Sequence, residues 1–187
     1  MDVYLDFKSP QAYLALKPTL ELARRREVQI NWRPYETRQP LIEPERVDET
    51  RGETHVRVRQ QQRHATCLKY AGIQGVPMRF SEQPRDTRCA LAGLLFCADD
   101  PVPYLEVAFR AYWSEGADLD SEEVVQGLLR QAGYNDQDFR AEDYLAELDR
   151  HQAQAEEAGV FDTPMYHVAG EWFLGREQMP WIEFLLK

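Results

Sequence analysis

The first residue in this chain with a chemical use beyond packing is a hydroxyl at the mouth of a helix. Residues 2–7 alternate, with Val3, Tyr4, Leu5 and Phe7 suiting a buried strand, and Ser9-Pro10 follows as helix N-cap and first-turn proline. Unpaired backbone N–H groups and the helix dipole favour an anion at such a point. A serine there can donate a hydrogen bond to a thiolate while the dipole lowers the thiol's pKa from about 8.5 toward neutrality. Read in isolation, Ser9 is only a cap and Pro10 only a helix starter.

The second half of the chain supplies possible partners. Thr163-Pro164 directly precedes the apolar segment Met165 to Val168. Proline at a strand start is one place where a cis bond occurs, leaving the preceding N–H and C=O to pair with an extended peptide, although a turn explains the dipeptide equally well. Arg176-Glu177 opens the last predicted helix, where a carboxylate complements the dipole whether or not it holds a ligand. Arg57, Arg59, Arg63 and His64 form a basic stretch on one predicted helix. An arginine there could receive a substrate carboxylate through paired hydrogen bonds; a solvated face accounts for it too.

Other reactive types are better read as structural. Cys67, Cys89 and Cys97 are odd in number, form no CxxC and sit in partly apolar helical contexts, so they read as packing residues. His55, His64, His151 and His167 lack metal-ligand spacing, and no metal is expected. Trp172 and Phe173 alternate within the last predicted strand, and packing explains both.

The elements that must position these residues follow from periodicity and breakers. The strand at 2–7 leads into a helix over 10–26 that closes on Arg24-Arg25-Arg26, and a second strand runs from Val28 to Tyr35. Such a β-α-β unit makes its strands parallel. Helical signals then dominate: Thr54 to Gly72, Asp86 to Ala98, Tyr104 to Ser114, Ser121 to Gly133 and Glu142 to Gly159. Strand signals return at Met165 to Val168, the turn Ala169-Gly170 and Glu171 to Leu174, before a helix from Glu177 to Leu186. The predicted fold is α/β, ordered β-α-β, helical block, β-β-α, with residues 1–53 and 160–187 as two halves of one sheet domain and 54–159 as an all-helical insertion.

Composition narrows the partners. Twenty-two basic against 32 acidic residues give a net charge of −10, which opposes nucleic acid and anionic lipid and favours small-molecule ligands. The longest uncharged apolar stretch, Ala90 to Ala98, is too short to cross a bilayer. The opening Met1-Asp2 carries an acid where a secretory signal carries basic residues, so a cytoplasmic location is expected.

Asp6-Phe7-Lys8-Ser9-Pro10 followed by Tyr13-Leu14-Ala15 resembles the opening of the 2-hydroxychromene-2-carboxylate isomerases, glutathione-using proteins of the thioredoxin fold related to the kappa-class glutathione transferases and DsbA-like proteins. Trp32-Arg33-Pro34-Tyr35 is similar to that family's second strand, and Phe109-Arg110-Ala111-Tyr112-Trp113 to its helical insert. Gly159-Val160-Phe161 through Pro164 resembles a Gly-Val-Phe-Gly-Val-Pro segment. Gly170-Glu171-Trp172-Phe173-Leu174-Gly175 with Arg176-Glu177 resembles the stretch whose acid binds the γ-glutamyl amine of glutathione. The resemblance runs nearly end to end and implies a thioredoxin-like fold, glutathione as cofactor, a small aromatic-derived substrate and a homodimer. It further implies Ser9 as the thiolate-holding residue, with Thr163, Pro164, Arg176 and Glu177 as the glutathione-binding set.

Departures bear on the reaction more than on the fold. Asp162 and Thr163 replace Gly-Val, Gln11 replaces an aromatic, Glu177 replaces Asp, and residues 36–52 lack the family's glycine-asparagine pattern. Asp162 would raise a nearby thiol's pKa if its charge pointed inward. The implied activity is a glutathione-dependent isomerase of an unsaturated acid; a kappa-like transferase or peroxidase and a non-catalytic binding module are the alternatives. A dithiol oxidoreductase is a fourth alternative, and Ser9 and Ala12, where two cysteines would be needed, argue against it.

Overall fold

Strand β1 (Asp2–Leu5) buries Val3 and Leu5 and leaves Asp2 and Tyr4 partly open, as its alternation predicts. The computed structural model describes residues 1–38, 48–81 and 86–186. After a three-residue loop, Ser9 caps helix α1 (Pro10–Arg26) in extended backbone geometry, φ −82° and ψ 113°, accepting a hydrogen bond from the Ala12 N–H. Glu27 ends the helix in the left-handed region, φ 51°, with its N–H returned to the Ala23 carbonyl. Pro18 lies inside α1 and cannot donate to Leu14 four residues back. Gln74 Nε2 donates to that carbonyl instead, at 3.1 Å.

The second strand, β2 (Asn31–Pro34), is shorter than the expected 28–35. The left-handed cap carries the chain away from the sheet, and Val28 N–H also bonds back to Ala23. Pairing is parallel between β1 and β2 and antiparallel between β1 and β3 (Met165–Val168) and between β3 and β4 (Glu171–Leu174). The sheet order is β2-β1-β3-β4. Ala169 and Gly170 both take positive φ, 51° and 84°, the turn geometry whose twist matches a two-residue hairpin.

Helices α2 (Arg51–Gln74), α3 (Arg88–Phe96), α4 (Val102–Arg110), α5 (Glu122–Gln131) and α6 (Glu142–Glu157) come between the sheet halves. Helix α2 starts ahead of the expected Thr54, because Thr50 and Glu53 form a reciprocal capping box. The helix expected over Tyr104 to Ser114 is α4 continued by a single π turn, Ala111–Glu115. Phe7, Leu91, Tyr104, Leu105, Phe109, Leu119, Leu129 and Phe139, all 0% exposed, make the main core. Gly93 is required where α3 meets α4: a Cβ there would lie 2.5 Å from the Tyr104 hydroxyl oxygen. The final helix, α7 (Met179–Leu185), follows a 3₁₀ turn at Arg176–Gln178, so the expected helix start at Glu177 moves two residues later. No helix among the described residues is long and apolar enough to cross a membrane.

Candidate functional site

The loop between β1 and α1 is fixed from several directions, and that places Ser9. Trp113 Nε1 in the π turn donates to the Phe7 carbonyl at 2.9 Å, while Tyr13 stacks on Phe109 with ring centroids 5.5 Å apart. The motif Phe109 to Trp113 thereby clamps the loop from the helical side. Asp6, 0% exposed, accepts from the Thr37 N–H at 2.7 Å, the Thr37 hydroxyl at 2.8 Å, the Thr87 hydroxyl at 2.5 Å and the Lys8 N–H at 3.2 Å. Lys8 Nζ stands 3.7 Å from the same carboxylate. Burial raises the Asp6 pKa, opposed by Lys8 and by the threonine donors. Sequence reasoning passed over Asp6 as part of a strand, although it heads the motif that ends in Ser9-Pro10.

Ser9 itself is 1% exposed. Its Oγ accepts from the Ala12 N–H at 3.2 Å and donates to the Thr163 carbonyl at 2.9 Å, joining residues 154 apart in sequence. The Thr163-Pro164 bond is cis. The Thr163 peptide groups are not free: its C=O receives Ser9, and its N–H donates to Asp162 Oδ1 at 2.8 Å. The Thr163 hydroxyl oxygen is buried and has no hydrogen-bond partner among the described residues. Pro164 C=O accepts from the Gly175 N–H at 2.9 Å, tying the strand start to the turn that carries Arg176 and Glu177.

These residues border a cleft of about 510 Å³ whose walls include Thr163, Pro164, Arg176 and Glu177, together with Cys67 and Tyr70 of α2. All four expected cofactor-binding residues therefore face one space, and Ser9 lies behind it, in contact through the Thr163 carbonyl. The Arg176 guanidinium sits 3.9 Å from the centre of the Tyr70 ring, a cation–π contact that fixes it against α2. Glu177 is 70% exposed and stands 3.6 Å from Arg176 Nε. Its carboxylate folds back over Gly175, where a Cβ would meet Glu177 Oε2 at 2.7 Å.

A second cavity, of about 530 Å³, shares Gln11, Arg63 and Asp162 with the first and adds Tyr35, Arg38, His64 and Phe161. Of the basic stretch on α2, Arg59 lines the first cleft, Arg63 both and His64 the second, while Arg57 is held by Glu49 at 2.8 Å. His64 stacks on Phe80 with centroids 3.7 Å apart, and burial lowers its pKa, favouring the neutral imidazole. A larger opening of about 730 Å³ is lined by Arg24, Trp32, Asp100 and His151. It lies at the opposite end of α1, away from the N–H groups that would hold an anion. No group of three or more His, Cys, Asp or Glu side chains suited to a metal occurs among the described residues.

Known proteins decide the family. The model of the DSBA-like thioredoxin domain matches residues 1–187. The chain belongs to that family. A 2-hydroxychromene-2-carboxylate isomerase of Sphingobium xenophagum is 26% identical over 192 residues, covering 100% of this chain and 97% of the relative. Among solved structures, 2-hydroxychromene-2-carboxylate isomerase superposes with a TM-score of 0.75 at 22% identity, over 98% of this chain and 92% of that one. The cytosolic disulfide reductase DsbM of Pseudomonas aeruginosa, solved with GSH, gives a TM-score of 0.63 at 15% identity, over 99% of this chain and 94% of its own. The proteins this chain is similar to thus include an isomerase and, in fold, a disulfide reductase. In this DSBA-like chain Cys67, Cys89 and Cys97 are free and buried. Burial pushes the Cys67 thiol up to about 11 and those of Cys89 and Cys97 to about 12.

Proposed function

We propose that the protein is a glutathione-dependent isomerase of an unsaturated, aromatic-derived acid, working through a thiolate held by Ser9. One observation carries this reading: Thr163, Pro164, Arg176 and Glu177 converge on a single cleft beside the amino end of α1, where a helix dipole favours an anion. The Glu177 carboxylate suits the γ-glutamyl ammonium, and the Arg176 guanidinium suits a carboxylate of the tripeptide. On binding, the Ser9 hydroxyl turns from the Thr163 carbonyl to the sulfur, and a peptide N–H of the ligand takes its place on that carbonyl.

The chemistry is addition and elimination. The thiolate lone pair forms a C–S bond to an electron-poor alkene carbon, and the π electrons move onto the conjugated carbonyl as an enolate. Rotation follows about what is now a single bond. The enolate electrons then re-form the double bond and expel the thiolate, so glutathione is regenerated. The second cavity, with Arg38, Arg63 and the Tyr35 and Phe161 rings, suits the acid. A reducing compartment such as the cytoplasm would keep the cofactor as thiol.

The test is the ultraviolet absorbance of the thiolate on titrating glutathione into wild type and Ser9→Ala. Wild type should show the band near neutral pH and the variant should lose it; indistinguishable traces would remove Ser9 from the mechanism. A second reading, a binding protein without catalysis, is favoured by the Ser9 hydroxyl being buried and committed to Thr163. Glutathione binding with no isomerised or conjugated product would establish it. Conjugate formation with a chloro-nitroaromatic would instead indicate a kappa-like transferase.

A further inference from the structure

We infer that Asp162 sets the affinity of the cleft, by occupying the Thr163 peptide N–H that a cysteinyl peptide must take over. The inference rests on the glutathione reading above and goes beyond it. Asp162 is half-buried, borders both cavities and places Oδ1 2.8 Å from the Thr163 nitrogen. Residue 163 therefore offers three polar groups to the cleft region. Its C=O is matched by Ser9, its N–H by Asp162, and its buried hydroxyl by nothing among the described residues.

An extended peptide laid against residue 163 exchanges these bonds one for one. Its carbonyl accepts from the Thr163 N–H, and its N–H donates to the Thr163 C=O. Ser9 is freed for the sulfur. Asp162 is the partner left over, and its carboxylate must turn toward the second cavity, whose walls carry Arg38 and Arg63. The hydrogen bond given up by Asp162 is subtracted from the affinity of the ligand. A charge-assisted bond of this kind corresponds to about tenfold in a dissociation constant.

Charge repulsion by Asp162 would also weaken a thiolate ligand, and the two causes separate by substitution. Asp162→Ala removes both the cap and the charge. Asp162→Asn removes the charge but keeps an oxygen able to accept from the Thr163 N–H. Calorimetry with S-methylglutathione, which has no thiolate, is the direct measurement. The expected result is about tenfold tighter binding by Asp162→Ala and about threefold tighter binding by Asp162→Asn, whose neutral oxygen holds the Thr163 N–H about half as strongly. Equal affinities for wild type and Asp162→Ala would overturn the inference while leaving the glutathione site standing, and so would Asn behaving as Ala. No binding by any of the three would sink the glutathione reading and the inference with it. A second measurement needs no variant: in the wild type, the Asp162 side-chain carboxyl carbon resonance should move when S-methylglutathione binds. A stationary resonance under saturating ligand refutes the displacement.

Discussion

Replacing Asp6 with alanine tests how the loop beneath Ser9 is held. The side chain is completely buried and collects the Thr37 N–H, the Thr37 and Thr87 hydroxyls and the Lys8 N–H. Alanine leaves all of these without their acceptor. A buried donor left unsatisfied costs about 1–3 kcal/mol. The hydroxyls can rotate toward other oxygens, so the Thr37 N–H and Lys8 decide the outcome. Lys8 Nζ keeps Asp86 at 3.5 Å and Glu36 at 4.0 Å but loses Asp6 at 3.7 Å, with a side chain only 11% exposed. Relief of the carboxylate's own desolvation offsets part of the loss. The net effect is about 1–3 kcal/mol, the range for a buried donor left unsatisfied, because Lys8 is not left without a carboxylate. At about 2–4 °C per kcal/mol for a chain of this size, Tm falls by about 2–12 °C. Urea unfolding with an unchanged m value is the assay. A loss under about 1 kcal/mol would show that the donors find other partners and that Asp6 does not organise the loop.

Further outcomes follow from the same contacts. Burial raises the Asp6 pKa, so the folded protein binds that proton more readily than the unfolded chain. Its contribution is then full below the unfolded pKa and is lost as pH rises through the folded value. The stability of wild type relative to Asp6→Asn should therefore shrink as pH rises from about 4, and a difference that grows would contradict the assignment. Trp113→Phe keeps the ring contacts but orphans the buried Phe7 carbonyl, and should cost about 1–3 kcal/mol by denaturant titration; a neutral change would count against the clamp. With its thiol pushed up to about 11, Cys67 is about one part in a thousand thiolate at pH 8, so Ellman's reagent should label the native protein slowly and all three cysteines quickly in urea.

The parts of the site governed by local rules were legible in the sequence. Ser9-Pro10 is a cap and helix start because a side-chain oxygen and a fixed φ act within one turn. The hairpin at Ala169-Gly170 and the charged end of α1 are local in the same way. What escaped depends on distant partners. Asp6 belongs to an alternating stretch, yet its side chain is aimed by Thr37 and Thr87, which lie 31 and 81 residues away. The occupation of the Thr163 C=O depends on Ser9 and could not be read from Thr-Pro alone. Gly52 hid the start of α2, since its helix-breaking tendency masked the Thr50–Glu53 box. The π turn changes one turn's hydrogen bonding without disturbing apolar periodicity, and so left no trace in it. Part of the irregular segment expected at 36–52, residues 39–47, lies outside the described residues.

The sheet order has a consequence for how the molecule is made. Strand β1 leaves the ribosome before the other three strands, yet it sits between β2 and β3, and its antiparallel neighbour begins at Met165. Ser9 must wait for Thr163, 154 residues later, a delay of roughly 8–30 s at ordinary elongation rates. During that interval β1 and β2 expose an unpaired edge, while the intervening helices can form from contacts closer in sequence. The cleft is thus completed only after the helical block has been made, and a chain released before β3 would hold the serine without the peptide groups it faces.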